Sequence, residues 1–301
     1  IRIPANTAQQ IAQFLFDDLG PERLMRQAKV AQKIRIKKMP ERPMPHIVQQ
    51  DGDGRPQGLV LADGVPFVAQ RADGQAHEVH GAIRALWASM GWERSFLGYP
   101  TSDELSTEDS TGRYSEFQHG SIYWSPGTGA LACRETVRLH VKCLTAPTRF
   151  TINQMISNMR LTYATAQVGL KYVSFEVLNL PALNDIDVGA CTLGTVTAEQ
   201  TQLFANRNNA AAKDVIAYFV RSTQPPFNGC ASHPANRPGA VVASGASAWT
   251  LAHEIGHVLG LSHVSDNNRL MTGLGTDNIT NPPPDIIASE KTTMLASSFT
   301  T

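Results

Sequence analysis

The sequence predicts a mixed α+β/α/β chain. An α/β domain built on a mainly parallel, twisted sheet fills residues 133–301, a small β-rich domain precedes it at 47–132, and a helical, basic segment occupies 1–46. Three observations lead there. From residue 135 onward, strand-like and helix-like stretches alternate, which is the pattern of right-handed βαβ crossovers. Residues 81–130 instead show short β-rich stretches, glycine turns and clustered aromatics. The chain has 301 residues and 42% hydrophobic side chains, enough for two cores.

Taken in order, Thr7-x-x-Gln10 is a capping box ahead of Ile11, Phe14 and Leu15 on one face, so a short helix opens the chain. The run RQAKVAQKIRIKKMPER at 26–42 is strongly basic and reads as a solvated or groove-covering face, with polyanion binding as the sharper alternative. Trp87, Trp92, Tyr99, Phe117, Tyr123 and Trp124 are numerous enough to fill the core of a small domain, or to stack on sugar rings. His77 and His80 stand three apart without further ligands and read as surface residues. ETVRLHVK at 135–142 is a strand, Ile152 to Ala166 an amphipathic helix, LKYVSFEVL from Leu170 a strand, Ala198 to Asn206 a shorter helix, and KDVIAYFVR from Lys213 a strand. GAVVAS at 239–244 is a short strand, and NPPPDIIASEKTTMLASS gives a proline-rich loop and a terminal helix.

Lys plus Arg equals Asp plus Glu at 26 each, so overall charge points to neither nucleic acid nor an acidic surface as partner. No run approaches the ~20 apolar residues of a membrane span. No signal peptide is evident, and Ile1 in place of Met is read as a removed leader or a truncation. Cys133, Cys143, Cys191 and Cys230 are even in number and form no CxxC pair, which favours two disulfides and an oxidising compartment. A strand between Cys133 and Cys143 would hold them some ~30 Å apart, against the ~7 Å a bridge tolerates. Cys133 is therefore expected to join Cys191 or Cys230, and Cys143 the other.

The chemistry concentrates in HEIGHVLGLSH, residues 253–263. Positions four apart share a helix face, so His253 and His257 can direct two imidazoles at one ion. Glu254 lies beside them on the same helix, placed to hydrogen-bond a metal-bound water as general base. Gly260 offers positive φ for a sharp turn that returns His263 as third ligand. Ser247 is available as N-cap for a helix running to about Leu259, with Leu251, Ile255, Val258 and Leu259 on its core side. A lone buried histidine is more often core than ligand, but five fixed positions arise by accident on the order of once in ten thousand chains.

These residues, with Met271 in the downstream run Asn268-Arg269-Leu270-Met271-Thr272-Gly273, resemble the metzincin zinc endopeptidases. The resemblance implies one catalytic zinc on His253, His257 and His263, Glu254 as general base, a Met-turn at Met271 and an edge strand at 239–244 above a cleft. It also makes the proline-rich loop a wall of the pocket. Val264 after the third histidine indicates no subfamily, and Gly273 stands where some subfamilies carry a further tyrosine ligand, so three histidines plus water are the implied set. Asp266, Asn267, Asp277 and Asn278 offer a weaker place for calcium, since such loops are usually turns. GAIRALWASMGWERSFLGYPTSDE and GRYSEFQHGSIYWSPGTGAL resemble the LGFP repeat, with Leu97-Gly98-Tyr99-Pro100 at its name motif and a weaker preceding copy. That resemblance implies a bacterial protein, secreted or held at the cell envelope, whose partners are a protein or peptide substrate and an envelope glycan such as peptidoglycan. A wall-binding protein with a structural zinc site, and a hydrolase of peptidoglycan peptides, are the rival readings.

Overall fold

The computed structural model describes residues 46–47, 58–60, 67–70 and 76–301. The described residues belong to one compact unit, 46–301. The expected opening helix and the basic run at 26–42 lie outside the described residues.

Strands β1 (His46–Ile47), β2 (Gly58–Val60), β3 (Phe67–Gln70) and β4 (Ala76–Val79) form an antiparallel meander in that order. Helix α1 (Gly81–Ser89) follows, a helical element that the β-rich expectation omits. A second antiparallel sheet is built from β5 (Leu105–Ser106), β6 (Arg113–Phe117), β7 (Gly120–Ser125) and β8 (Gly129–Cys133). The aromatic residues mostly fill this region: Trp87 is buried, with Trp92 edge-on at 5.1 Å and Phe117 tilted at 5.3 Å. Ile83 and Trp87, four apart on α1, face Leu97, Phe117 and Ile122 in one core.

A single residue, Arg134, separates β8 from β9 (Glu135–Cys143), the first strand of the main sheet. Next come α2 (Ile152–Thr165), β10 (Val168–Val177), β11 (Asp185–Asp187), α3 (Ala198–Leu203), β12 (Val215–Val220), β13 (Ser222–Gln224), β14 (Gly229–Cys230), β15 (Gly239–Ala243), α4 (Thr250–Val258) and α5 (Ala288–Leu295). The main sheet has the order β10-β9-β12-β15-β14, parallel except for β14. All six residues of β12 are buried, as a central strand covered on both faces requires. Val137, Leu139 and Val141 of β9 pack with α2 and α4, whereas Ile216, Tyr218 and Val220 of β12 face the side of α3. Thr151 caps α2 reciprocally with Gln154, a capping box at 3.1 and 2.9 Å.

Two expectations are corrected here. The strand at 239–244 is not an edge: β14 covers it, Cys230 pairing with Val241 and Gly229 with Val242, so the sheet ends on a two-residue strand. The cysteines form one disulfide, not two. Cys191 joins Cys230 with Cα atoms 5.7 Å apart, while Cys133 and Cys143 are buried free thiols. Each thiol packs as a small apolar group in a different cluster, and burial pushes Cys133 up to about 12.

The second antiparallel sheet and the main sheet share structure. Tyr123 and Cys133 form one apolar cluster with Ala164 and Leu161 of α2. Arg160 of α2, only 3% exposed, pairs with Glu108 at 2.6 Å, lies 4.0 Å over the Tyr114 ring and donates to the Leu170 carbonyl. The Asp109 N–H donates to Ser157 Oγ at 3.1 Å, and Lys171 pairs with Glu116. Removing one partner of a buried pair strands the other charge in low dielectric. Arg160→Leu is accordingly expected to lower unfolding stability by about 3–5 kcal/mol, read as a shift of the urea midpoint.

Candidate metal centre

Helix α4 carries Leu251, Ile255 and Val258 into the main core and His253 and His257 on its other side. Its start is held by hydroxyls. Ser247 Oγ accepts from the Trp249 N–H, and Ser247, Thr250 and Thr276 form a buried hydroxyl cluster at 2.8–3.1 Å. Its end is the turn at Gly260, where φ is +99° and the Leu261 N–H donates to the Gly256 carbonyl at 3.0 Å. The chain then reverses and presents His263.

The three imidazoles converge. Nε2 of His257 is 3.2 Å from Nε2 of His253 and 3.0 Å from Nε2 of His263, and the third separation is 3.1 Å. Nδ1 of His253 donates to the Leu270 carbonyl and Nδ1 of His257 to the Leu261 carbonyl, both at 2.8 Å. A carbonyl only accepts, so these bonds place the proton on Nδ1 and leave Nε2 as a bare lone pair. Lone pairs facing one another at 3 Å repel unless a cation lies between them. Nitrogens bound to a tetrahedral zinc at ~2.05 Å sit about 3.3 Å apart, so the donor set fits that ion. Burial lowers His253 to about 4, with the neighbouring His257 and His263 adding to the effect, and burial likewise lowers His257. Both rings are thereby kept in the neutral form a metal needs.

Below the histidines, Met271 is fully buried, and a Cβ added to Gly256 would lie 2.6 Å from its Sδ. Only glycine lets the helix approach so closely. The turn around Met271 also fixes two histidines. Val264 N–H donates to the Met271 carbonyl at 2.9 Å and Gly273 N–H to the Val264 carbonyl at 2.8 Å, bracketing His263, while Leu270 supplies the acceptor for His253.

Glu254 is 8% exposed, and its desolvation pushes the carboxyl up to about 8. Gly229 of β14 abuts it: a Cβ there would meet Glu254 Cγ at 2.5 Å. A folded pKa above the unfolded value gives stability that is complete below pH 4.5 and lost as pH rises through about 8. Chelator-stripped protein is therefore expected to lose stability between pH 6 and pH 9, and Glu254→Gln to flatten that slope; urea midpoints at the two pH values give the comparison.

Residue type alone gives no sign of several contributors. Leu261 and Leu270 act through backbone carbonyls, and Tyr163 of α2 donates its buried hydroxyl to the Ala252 carbonyl at 2.8 Å, tying α2 to the helix next to His253. The calcium expectation is not supported. Asp277 pairs with Arg149 at 2.8 Å, Asp266 accepts from the Asn268 N–H, Asn267 accepts from Thr272 and Asn278 donates to the Leu274 carbonyl. Among the described residues, the histidine triplet is the one group of three or more such side chains placed to hold an ion. His77 and His80 lie by Asp103, Glu78 and Glu104 at 3.3–3.8 Å.

Residues 48–95 and 97–139 match the LGFP repeat family. The chain carries two LGFP repeats. In the second, Leu97 is buried, Gly98 takes φ +71° and the Tyr99 N–H donates to Gln118, so the name motif is a packed turn of the repeat. That match runs through Leu139, five residues into β9 of the main sheet. No curated protein matches the chain. Among solved structures, metalloproteinase-II from Bacteroides fragilis is similar at TM-score 0.41 and 14% identity, covering 79% of this chain and 77% of that one. A zinc-dependent peptidase from Methanocorpusculum labreanum gives 0.35 and 13%, covering 52% of this chain and 99% of its own. Archaemetzincin from Archaeoglobus fulgidus gives 0.33 and 13%, with the same coverages. At such scores the functional reading rests on the geometry of the site.

Proposed function

We propose that this chain is a zinc-dependent endopeptidase of metzincin type. Residues 133–301 form the catalytic domain, and the LGFP region at 47–132 holds it at a bacterial cell envelope or steers it to substrate. The observation that carries this reading is the convergence of three Nε2 atoms within 3.0–3.2 Å, two of them left bare by Nδ1–H bonds to carbonyls, next to a buried glutamate. His253, His257 and His263 would hold the ion. Zinc so bound supplies a Lewis acid that polarises the scissile carbonyl and acidifies a water.

The rest falls to the chain itself. Glu254 takes the proton from the attacking water at a carboxylate oxygen and returns it to the leaving amine. Its burial beside Gly229 excludes bulk water and strengthens that exchange. Met271 supports the ligands from beneath without offering a competing donor of strength. β14 ends the sheet beside Glu254, and an extended peptide adding to that edge would bring its backbone past the carboxylate.

The test is a casein digest with and without a zinc chelator, set beside a digest of peptidoglycan peptides and elemental analysis of the purified protein. Bound zinc with chelator-sensitive cleavage of casein is expected. Zinc without hydrolysis of either substrate would return the site to a structural role.

A further inference from the structure

Helix α5 backs the metal centre although it contributes no ligand to the histidine triplet. Its Met294 is fully buried in one apolar cluster with Met271, Val258 and Leu261. A Cβ added to Gly260, in the turn that returns His263, would lie 3.3 Å from Thr293 Cγ2. The loop that enters α5 is also stitched to the turn around Met271. Leu270 N–H donates to the Asp285 carbonyl at 3.1 Å, and Asp285 N–H donates to the Asn268 carbonyl at 2.8 Å. Leu270 is the residue whose own carbonyl accepts from His253 Nδ1 at 2.8 Å.

One ion pair closes this arrangement, and neither of its members belongs to HEIGHVLGLSH. Arg269, one residue before Leu270, places Nη2 2.6 Å from Glu290 Oε1, with the two side chains only 13% and 10% exposed. Arg269 Nε has no hydrogen-bond partner among the described residues, so Glu290 is what offsets the guanidinium charge there. Glu290 is held in turn, since its Oε2 accepts from the Ile287 N–H at 3.1 Å at the start of α5. One carboxylate therefore ties the first turn of α5 to the turn that orients His253. Without its charge, the guanidinium would be left uncompensated in low dielectric and would swing toward water, drawing the Leu270 backbone with it.

We propose that Glu290, acting through Arg269, is a positioning residue of the metal centre: the pair holds the Leu270 carbonyl in place, and with it the His253 ring whose Nε2 faces the ion. The proposal rests on the reading of the histidine triplet as a zinc site and extends that site to a helix outside the ligand motif. Glu290→Gln keeps the side-chain size and an oxygen for the Ile287 N–H, and removes only the charge. Two measurements on the full chain test it: zinc affinity by competition against a chromogenic chelator, and solvent exchange of the imidazole N–H groups by NMR of the zinc-loaded protein. Affinity about tenfold weaker is expected, the low end of what losing a partner behind a ligand costs. Exchange at His253 Nδ1 should quicken, while His257, whose acceptor is the Leu261 carbonyl in a different turn, stays as in wild type. Arg269→Lys retains the ion pair and should retain the affinity. The double variant Arg269→Gln/Glu290→Gln strands no charge, so it folds where the single variant does not, and it should show the same loss. Unchanged affinity in both Gln variants, or exchange quickened equally at His253 and His257, would overturn the clamp while leaving the zinc site standing. A wild type that takes up no zinc would instead overturn the zinc reading, and the clamp with it.

Discussion

Glu254→Gln is expected to retain zinc at the wild-type level and to lose hydrolysis by about 10²–10⁴-fold. The substitution keeps the size of a side chain that is 8% exposed and abutted by Gly229, so the helix and its histidines have no reason to move. What changes is the capacity to accept a proton. An amide cannot take one from water and hand it to an amine, so the effect should fall on kcat with little change in KM. Elemental analysis and peptide-cleavage kinetics on one preparation decide the matter. Activity equal to wild type would dismiss Glu254 as the base, and loss of zinc together with activity would mean that the carboxylate supports the site instead of working in it.

The parts of this architecture that read clearly from sequence are those whose signal is a side-chain period. Ile255 and Val258 against His253 and His257 is a helical alternation, and it places a core face and a polar face without any knowledge of neighbours. Gly260 reads as a turn because few other residues tolerate its φ of +99°. Long buried strands such as β12 announce themselves by composition. The missed features carry no such period. β14 has two residues, too few for a pattern, and its presence turns the expected edge at 239–244 into an interior strand. The acceptors behind His253 and His257 are backbone carbonyls, which every residue possesses. Cysteine pairing depends on which thiols meet in space. The even count of four implies bridges, but Cys133 and Cys143 are separately buried as apolar filler, and Cys191 and Cys230 lie together on the side of α3. The join between modules is likewise tertiary: Arg160 in the middle of a helix gives no hint of its Glu108 partner, 52 residues upstream.

His263→Ala is expected to leave a folded protein that no longer holds zinc. His263 is exposed and reaches the site from a loop, so its loss opens no cavity in the core. His253 and His257 remain on α4 with their Nδ1 partners intact, but two imidazoles four residues apart make an incomplete set for a tetrahedral ion. Losing only a hydrogen-bond partner behind a ligand already costs about 10–100-fold in metal affinity, so losing the ligand itself should cost more. Competition against a chromogenic chelator gives the affinity, and the His77→Ala variant, altered far from the triplet in sequence and paired with Asp103, serves as the unchanged control. The opposite substitution in the support, Gly256→Val, should act through the same site by a different route. A side chain there must displace Met271, whose turn brackets His263 and carries the Leu270 carbonyl, so affinity should fall although every ligand is still present. Zinc held equally tightly by His263→Ala and wild type would mean that the three rings do not share one ion, and the endopeptidase reading would go with it.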